Sequence, residues 1–178
     1  MARAGPLGVL LTLLVLPTAA PAQNPPTGEQ RSRIIDAARE LMQQAGLAGF
    51  ITVGDDGRPQ ARVVDAFPPE ADMTIWIATN PVTRKVAQVR RDPRVTLLYT
   101  DPGGTGYVTI LGTAAVVDDS LEKARHWKEA WSPFYQDKNR GDDYVLIRVT
   151  PQRLEIVSYA HGLLNDPKTW RPVALEFP

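Results

Sequence analysis

The chain has 178 residues, of which 43% are hydrophobic, and its 20 basic and 20 acidic residues cancel to a formal net charge of zero. This length suits one domain with a sizeable core, and the balanced charge gives no general attraction to nucleic acid or to anionic membranes. The absence of cysteine excludes disulfides, thiolate zinc sites and a cysteine nucleophile. With only two histidines, we expect no metal centre.

The first 22 residues have the features of a signal peptide. Arg3 provides a positive start, residues 7–16 form an apolar run, and residues 20–22 (APA) fit the small-x-small cleavage rule. The run is too short to span a bilayer, which takes about 20 residues. We predict cleavage after Ala22, export to the periplasm or the medium, and no stable membrane span afterwards; an uncleaved anchor is the alternative. Residues 23–28 are predicted to be a flexible lead-in to one domain over residues 29–178.

Downstream, the hydrophobic spacing alternates between the three-to-four period of helices and the two-residue period of strands. Three helices are predicted, over 29–44, 80–91 and 120–131. The second begins with an Asn80 cap and Pro81 and ends at Arg91, with Val82, Val86 and Val89 facing inward. Strands are predicted over 48–53, 60–67, 73–78, 94–100, 107–117, 144–149 and 153–157, and the tail after Ser158 has no clear period. Short strands joined by hairpins predict an antiparallel β-barrel with flanking helices rather than a parallel sheet.

The start of the second predicted helix carries two adjacent cations, Arg84 and Lys85. A helix N-terminus is already positive, so cations in its first turn are electrostatically out of place. A bound anion would resolve this, because free N–H groups and the helix dipole favour a phosphate that Arg84 can grip with two hydrogen bonds. The alternative interpretation is that both side chains are simply solvated.

A third cation, Arg62, interrupts an otherwise apolar predicted strand. Because strand side chains alternate between faces, Arg62 could point to solvent. In a barrel, however, this strand can lie beside the start of the second helix, and Arg62 would then converge with Arg84 and Lys85 on one phosphate.

Five segments extend this pattern: residues 57–64 (GRPQARVV), 75–80 (IWIATN), 83–95 (TRKVAQVRRDPRV), 106–112 (GYVTILG) and 143–151 (DYVLIRVTP). In this order they resemble the pyridoxamine 5′-phosphate oxidase-like family, and most of all its general stress protein branch. The resemblance covers residues 47–158. It implies a split β-barrel of antiparallel Greek-key type, a homodimer with FMN at the interface, and a flavin-dependent oxidoreductase. Trp170, Arg171 and Pro172 only loosely match the terminal signature of pyridoxamine 5′-phosphate oxidases proper, so the substrate is not expected to be pyridoxamine phosphate.

The resemblance also implies which residues contact the cofactor, although it assigns no catalytic residue. The matching positions are Arg62, Arg84 and Lys85 for the phosphate, Val63 and Val64 for backbone contacts to the flavin ring, Ala78 and Thr79 beside the cofactor, and Tyr107 at a ring contact that is commonly Gln.

A second hypothesis is a non-enzymatic protein, either an exported carrier of haem or another ligand, or a stress-associated protein with a vestigial flavin site. We interpret His126, on the predicted helix with Trp127 and Trp131, as a surface or packing residue, and its functional alternative is a haem ligand. The glycine-rich residues 103–106 lack the strand–loop–helix context of a nucleotide-binding loop, and we interpret them as a hairpin turn.

Overall fold

The computed structural model describes residue 1 and residues 26–178, so the predicted signal peptide and residues 23–25 of the predicted lead-in lie outside the described residues. The elements are α1 (Gly28–Ala45), β1 (Ala48–Val53), β2 (Pro59–Val64), β3 (Ile75–Thr79), α2 (Arg84–Arg91), β4 (Arg94–Thr100), β5 (Tyr107–Val117), α3 (Ser120–Arg125), a 3-10 turn (Glu129–Trp131), β6 (Val145–Val157) and β7 (Val173–Glu176). Within residues 26–178, every helix falls short of the length or apolar character that a membrane crossing requires.

Helix α1 forms because its start and end are well specified. The Thr27 hydroxyl accepts a hydrogen bond from the Gln30 N–H, and the Gln30 side chain accepts one from the Thr27 N–H, which makes a capping box. Gly46 ends the helix with a φ of 69°, a conformation that glycine adopts at little cost. The face that includes Ile34 and Leu41 is buried against the sheet.

All seven strands pair antiparallel in one sheet, with the order β2-β1-β4-β5-β6-β3, and β7 pairs with β6. One edge of the 13-residue β6 pairs with β5. On its other edge, the first part of β6 pairs with β3 and the last part pairs with β7. A single bridge between Ala66 and Ile77 connects β3 to the segment after β2 and closes the sheet. The predicted antiparallel barrel with flanking helices is therefore confirmed.

The core lies mainly inside this barrel and beneath α1. The inward-facing residues of β1 and β4, among them Phe50 and Leu97, are fully buried there. A second, smaller aromatic cluster forms outside it around Trp76, Tyr144 and Leu146.

The structure corrects the predicted start of α2. The helix begins at Arg84 with Thr83 at its cap, not at Asn80 and Pro81. The Asn80 side chain instead accepts a hydrogen bond from the Val82 N–H at 3.1 Å, which holds the preceding residues in a turn. Val82 consequently points outward and is 88% exposed, so its predicted inward orientation is wrong, whereas Val86 and Val89 are buried as predicted.

Three other elements differ from the predictions. The helix predicted over 120–131 ends at Arg125, because the chain turns at His126 and places its ring against Trp76. The two predicted final strands are one continuous β6, in which a bulge opposite Gly112 accommodates Pro151. A side chain at position 112 would clash with the Thr150 carbonyl oxygen, 2.1 Å from where its Cβ would lie. Strand β7 lies in the tail for which no element was predicted.

Two strand boundaries also shift. The third strand begins at Ile75 rather than at residue 73, because Met73 has a φ of 69° and belongs to the turn before it. Strand β2 ends at Val64 rather than at residue 67, and beyond it only Ala66 makes a bridge.

Candidate functional site

A cleft of about 320 Å³ opens where the barrel is split. The ends of β2 and β3 are brought together by the Ala66–Ile77 bridge, but the strands themselves do not pair, so their side chains diverge beyond it. We call this opening the β2–β3 cleft. Five of the eight predicted cofactor residues line it: Val63, Val64, Ala78, Thr79 and Lys85.

The three predicted phosphate ligands lie close enough to one another to interact electrostatically. Burial and the positive charge of Arg84 lower the pKa of Arg62, and burial and the charge of Arg62 lower the pKa of Lys85. Among residues 26–178, none of the three takes part in a salt bridge, whereas neighbouring cations such as Arg91 and Arg94 do. The group, which we call the cation cluster, therefore concentrates positive charge without a counter-ion from the described part of the chain.

The start of α2 adds to this positive potential. The first turn contains no acidic residue, and the Thr83 side chain makes no capping hydrogen bond to it. The Thr83 hydroxyl is used elsewhere, since it donates to the Asn80 carbonyl at 2.9 Å and lies 3.2 Å from the Thr79 hydroxyl. An uncapped helix N-terminus beside three cations is the arrangement that binds an anion such as phosphate.

A buried polar network fixes the direction of Arg62. Its guanidinium donates to the Thr52 hydroxyl at 2.7 Å and to the Gln88 side-chain oxygen at 2.9 Å. Thr52 donates to the same Gln88 oxygen at 2.6 Å, and the Gln88 amide donates to Gln60 at 2.8 Å. Gln88, which is only 4% exposed, thus ties α2 to β1 and β2.

Sequence reasoning assigned no role to Gln88 or Thr52. A signal was present, because Thr52 continues the alternating buried face of β1 that begins with Ala48 and Phe50. A polar group on a buried face needs a partner, and this requirement points to a polar residue on the packed helix.

The opposite wall of the β2–β3 cleft is aromatic, formed by Trp131, Phe134 and Tyr135. The Trp131 indole N–H donates to Asp65 at 3.2 Å, and the Lys128 ammonium donates to the other Asp65 oxygen at 2.6 Å. Lys128 also lies 4.9 Å above the Trp131 ring. The residues that follow α3 are therefore fixed against the end of β2.

Tyr107 does not join the other predicted residues within one chain. It is the first residue of the 11-residue β5, and its neighbour on β6 is Val157. At the other end of β5, Val117 pairs with Leu146 of β6, and Leu146 also pairs with Ala78 of β3. Burial and the charge of Glu155 raise the pKa of Tyr107, so the phenol is neutral at physiological pH.

Both histidines have protein partners away from the cleft. The His126 ring stacks on Trp76 at a centroid distance of 4.5 Å, and its Nδ1 lies 3.0 Å from the Glu122 carbonyl oxygen. His161 bridges Ser158 and Glu40 at 2.8 and 3.1 Å. His126 is therefore packed inside the aromatic cluster, in agreement with its interpretation as a packing residue. The glycine-rich residues 103–106 form the turn between β4 and β5, as predicted.

The family model for pyridoxamine 5′-phosphate oxidase matches residues 34–158. The chain belongs to this family. General stress protein 26 from Bacillus anthracis has a similar structure, with a TM-score of 0.66 and 19% identity over 82% of this chain and 99% of that one. A protein related to general stress protein 26 from Clostridium acetobutylicum gives a TM-score of 0.66 and 16% identity over 82% and 94%.

A haem-binding protein from Mycobacterium smegmatis shares the fold as well, with a TM-score of 0.58 and 19% identity over 78% of this chain and 56% of that one. At these identities the likenesses establish the fold, which is the predicted split barrel. A fold does not determine the ligand that a protein binds, so the ligand of this chain has to be argued from its own residues.

Proposed function

We propose that the protein binds FMN in the β2–β3 cleft and serves as a flavin-dependent oxidoreductase. The observation that carries the proposal is the cation cluster: Arg84 and Lys85 begin α2 at an uncapped helix start, and Arg62 lies close enough to interact with both, without a counter-ion from residues 26–178. A phosphate monoester there would neutralise the cluster and receive charge-assisted hydrogen bonds. The residues present therefore fit the cofactor that the family resemblance implies.

The flavin ring would lie along the cleft against the ends of β2 and β3. Val63, Val64, Ala78 and Thr79 provide the strand edges, and Trp131 and Phe134 the opposite wall. Bound FMN would supply the redox chemistry, while these side chains would orient the ring and exclude water from it. The departures near Trp170 favour a substrate other than pyridoxamine phosphate.

We propose further that the protein is a homodimer that completes this site. Val63 and Phe134 are 69% and 76% exposed beside the cleft, which leaves apolar surface for a partner to cover. Tyr107 lies at the far end of β5 in its own chain, so it could reach a flavin only in the partner subunit. Sedimentation equilibrium tests the assembly: a dimer is expected, and a monomer in the presence of saturating FMN would contradict it.

Export is likewise a proposal, based on the leader sequence alone. Mass spectrometry of the protein made in its own cells should give a mature chain that begins at Gln23. A chain that retains residues 1–22 would contradict cleavage.

The cofactor is tested by the absorbance spectrum of the natively produced protein and by titration. Flavin absorbance, or quenching of added FMN fluorescence at one equivalent per chain, is expected. A Soret band after haem titration without FMN uptake would instead favour the haem-carrier hypothesis. Arg84→Ala should weaken FMN binding by about tenfold, the effect of one charge-assisted hydrogen bond. Arg90→Ala, at an exposed cation in the last turn of the same helix, is the matched control and should leave the affinity unchanged.

A further inference from the structure

A second cavity, of about 410 Å³, adjoins the β2–β3 cleft. Its walls are mainly apolar and come from α1 and from the segment after β2, with Met42, Ala66, Phe67, Pro68 and Pro69 among them. The volume falls within the range of about 300–1,000 Å³ that is typical of sites for small organic molecules. We call it the Tyr99 cavity, after the tyrosine of β4 in its lining.

Tyr99 is the residue of this cavity that points to a ligand. Its side chain is only 3% exposed, and its hydroxyl has no hydrogen-bond partner among the residues that the structure describes. Leaving a buried hydroxyl unpaired is unfavourable, so proteins rarely keep one without a partner. Burial raises the pKa of this phenol well above its ordinary value of 10.0, so the group is a neutral donor at physiological pH.

The two cavities share Asp65. This residue lines both of them, and its carboxylate is held by Trp131, which lines the β2–β3 cleft, and by Lys128, which lines the Tyr99 cavity. The two cavities therefore meet at Asp65.

The cations of the Tyr99 cavity have protein partners. Arg39 donates to the carbonyl oxygens of Pro69 and Glu70, and Lys128 donates to Asp65. Two lining groups are left for a ligand among the described residues: the buried Tyr99 hydroxyl and the exposed Gln43 amide, of which Tyr99 is the one held inside the fold. The cavity thus matches a molecule that is largely apolar and carries an oxygen acceptor, rather than a sugar, a nucleotide or a phosphate.

We propose that the Tyr99 cavity binds the substrate of the proposed flavin site, a small ring compound with a carbonyl or quinone oxygen that accepts a hydrogen bond from the Tyr99 hydroxyl. This inference depends on the proposed function for the substrate role, whereas binding in the cavity can be tested by itself. The probe is 2-methyl-1,4-naphthoquinone, measured by equilibrium dialysis, and 2-methylnaphthalene serves as the same skeleton without acceptors. The chain has no cysteine, so quinone–thiol adducts do not form.

Three variants test whether the naphthoquinone binds in the Tyr99 cavity. Gln43→Trp places a bulky ring at the cavity mouth on an exposed position of α1 and should weaken quinone binding by about tenfold, or ~1.4 kcal/mol. Gln44→Trp makes the same change at the next exposed position, which does not line the cavity, and should have no effect. Tyr99→Phe should weaken the quinone by about fivefold, the loss of one neutral hydrogen bond, and leave 2-methylnaphthalene unchanged.

Circular dichroism and urea unfolding of each variant establish that the fold is retained. Absence of quinone binding to the wild-type protein, or equal effects of Gln43→Trp and Gln44→Trp, would overturn the cavity assignment. The same samples are titrated with FMN. Quinone binding without FMN binding would overturn the proposed function and the substrate role together, whereas FMN binding without quinone binding would overturn this inference alone.

Discussion

The cation cluster at the start of α2 and the aromatic cluster around His126 both hold polar side chains near the end of β3, but they differ in how these are compensated. Around His126, three polar side chains have protein hydrogen-bond partners: the Trp76 indole donates to Glu70, Tyr144 donates to the His126 carbonyl oxygen, and the imidazole Nδ1 lies 3.0 Å from the Glu122 carbonyl oxygen. In the cation cluster the hydrogen bonds of Arg62 are satisfied, yet its charge and those of Arg84 and Lys85 are not balanced.

This difference separates a structural core from a candidate binding site. The aromatic cluster gains stability from burial and from edge-to-face ring contacts such as Trp127–Tyr144 at 5.4 Å. The cation cluster loses stability from repulsion between its members, and an anionic ligand would recover that free energy on binding. Mutations should therefore change stability in the first region and ligand affinity in the second.

The largest expected effect is on stability, from Trp76→Ala. Removing a side chain that is only 5% exposed, in contact with His126, should lower the free energy of unfolding by about 3–5 kcal/mol. The measurement is urea denaturation at neutral pH. The FMN affinity of the folded variant should stay near that of the wild type; a large loss of affinity would show that the two regions are not separate.

Gln88→Met should affect both the stability of the protein and its affinity for FMN, because Gln88 joins Arg62 to the rest of the hydrogen-bond network. Leaving the buried Thr52 and Gln60 groups without this partner should cost about 1–3 kcal/mol of stability, and FMN binding should weaken because Arg62 loses its fixed direction. Thr52→Val tests the mechanism. In a double-mutant cycle with Gln88→Met it should show a coupling of at least about 0.5 kcal/mol, and strictly additive effects would rule out a functioning network.

The pH dependence of binding should report Lys85. An anion binds best to the protonated lysine, and the pKa of Lys85 is lowered by burial and by Arg62 from its ordinary value of 10.5. Phosphate affinity should thus fall as the pH rises through a range below 10.5, by about tenfold for the loss of one charged hydrogen bond. The ratio of FMN to riboflavin affinity isolates the phosphate, because the two share the ring. Lys85→Arg should abolish this decrease in phosphate affinity with rising pH. If the decrease persisted in Lys85→Arg, a group other than Lys85 would be responsible for it.

The smallest effect is expected for His126→Gln. Loss of the stacked contact with Trp76 should destabilise the protein by about 0.5–1.5 kcal/mol, and haem affinity should not change, because the ring is packed inside the aromatic cluster. Haem titration followed at the Soret band checks this. A loss of haem binding specific to this variant would restore His126 as a ligand.

Local sequence patterns predicted much of the fold, because strands such as β1 and β4 alternate clearly and α1 has a regular apolar stripe. The start of α2 was misplaced because Asn80 and Pro81 suit a turn as well as a helix start, and only the contacts of Thr83 with Thr79 and Asn80 decide between the two. Strand β7 and the continuity of β6 across Pro151 depend on pairing with distant strands, which local periodicity does not encode.

The candidate site was predicted in a similarly uneven way. Lys85 and the strand ends at Val64 and Ala78 line the β2–β3 cleft, and their contact with a cofactor stays a prediction, whereas the resemblance gave no sign of the Gln88 network or of the unpaired Tyr99 hydroxyl. Both arise from residues that are distant in the chain and become neighbours only when the barrel closes.

The most direct test of the central claim compares FMN with riboflavin on the wild-type protein and on the Arg84→Ala/Lys85→Ala double variant, by fluorescence titration at pH 7. If the cation cluster holds the phosphate, the wild type should bind FMN about 100-fold more tightly than riboflavin, the sum of two charge-assisted hydrogen bonds. The ratio should fall sharply in the double variant, in which Arg62 and the helix start remain as phosphate contacts, while riboflavin binding is retained. Equal affinities for FMN and riboflavin in the wild type would contradict the account.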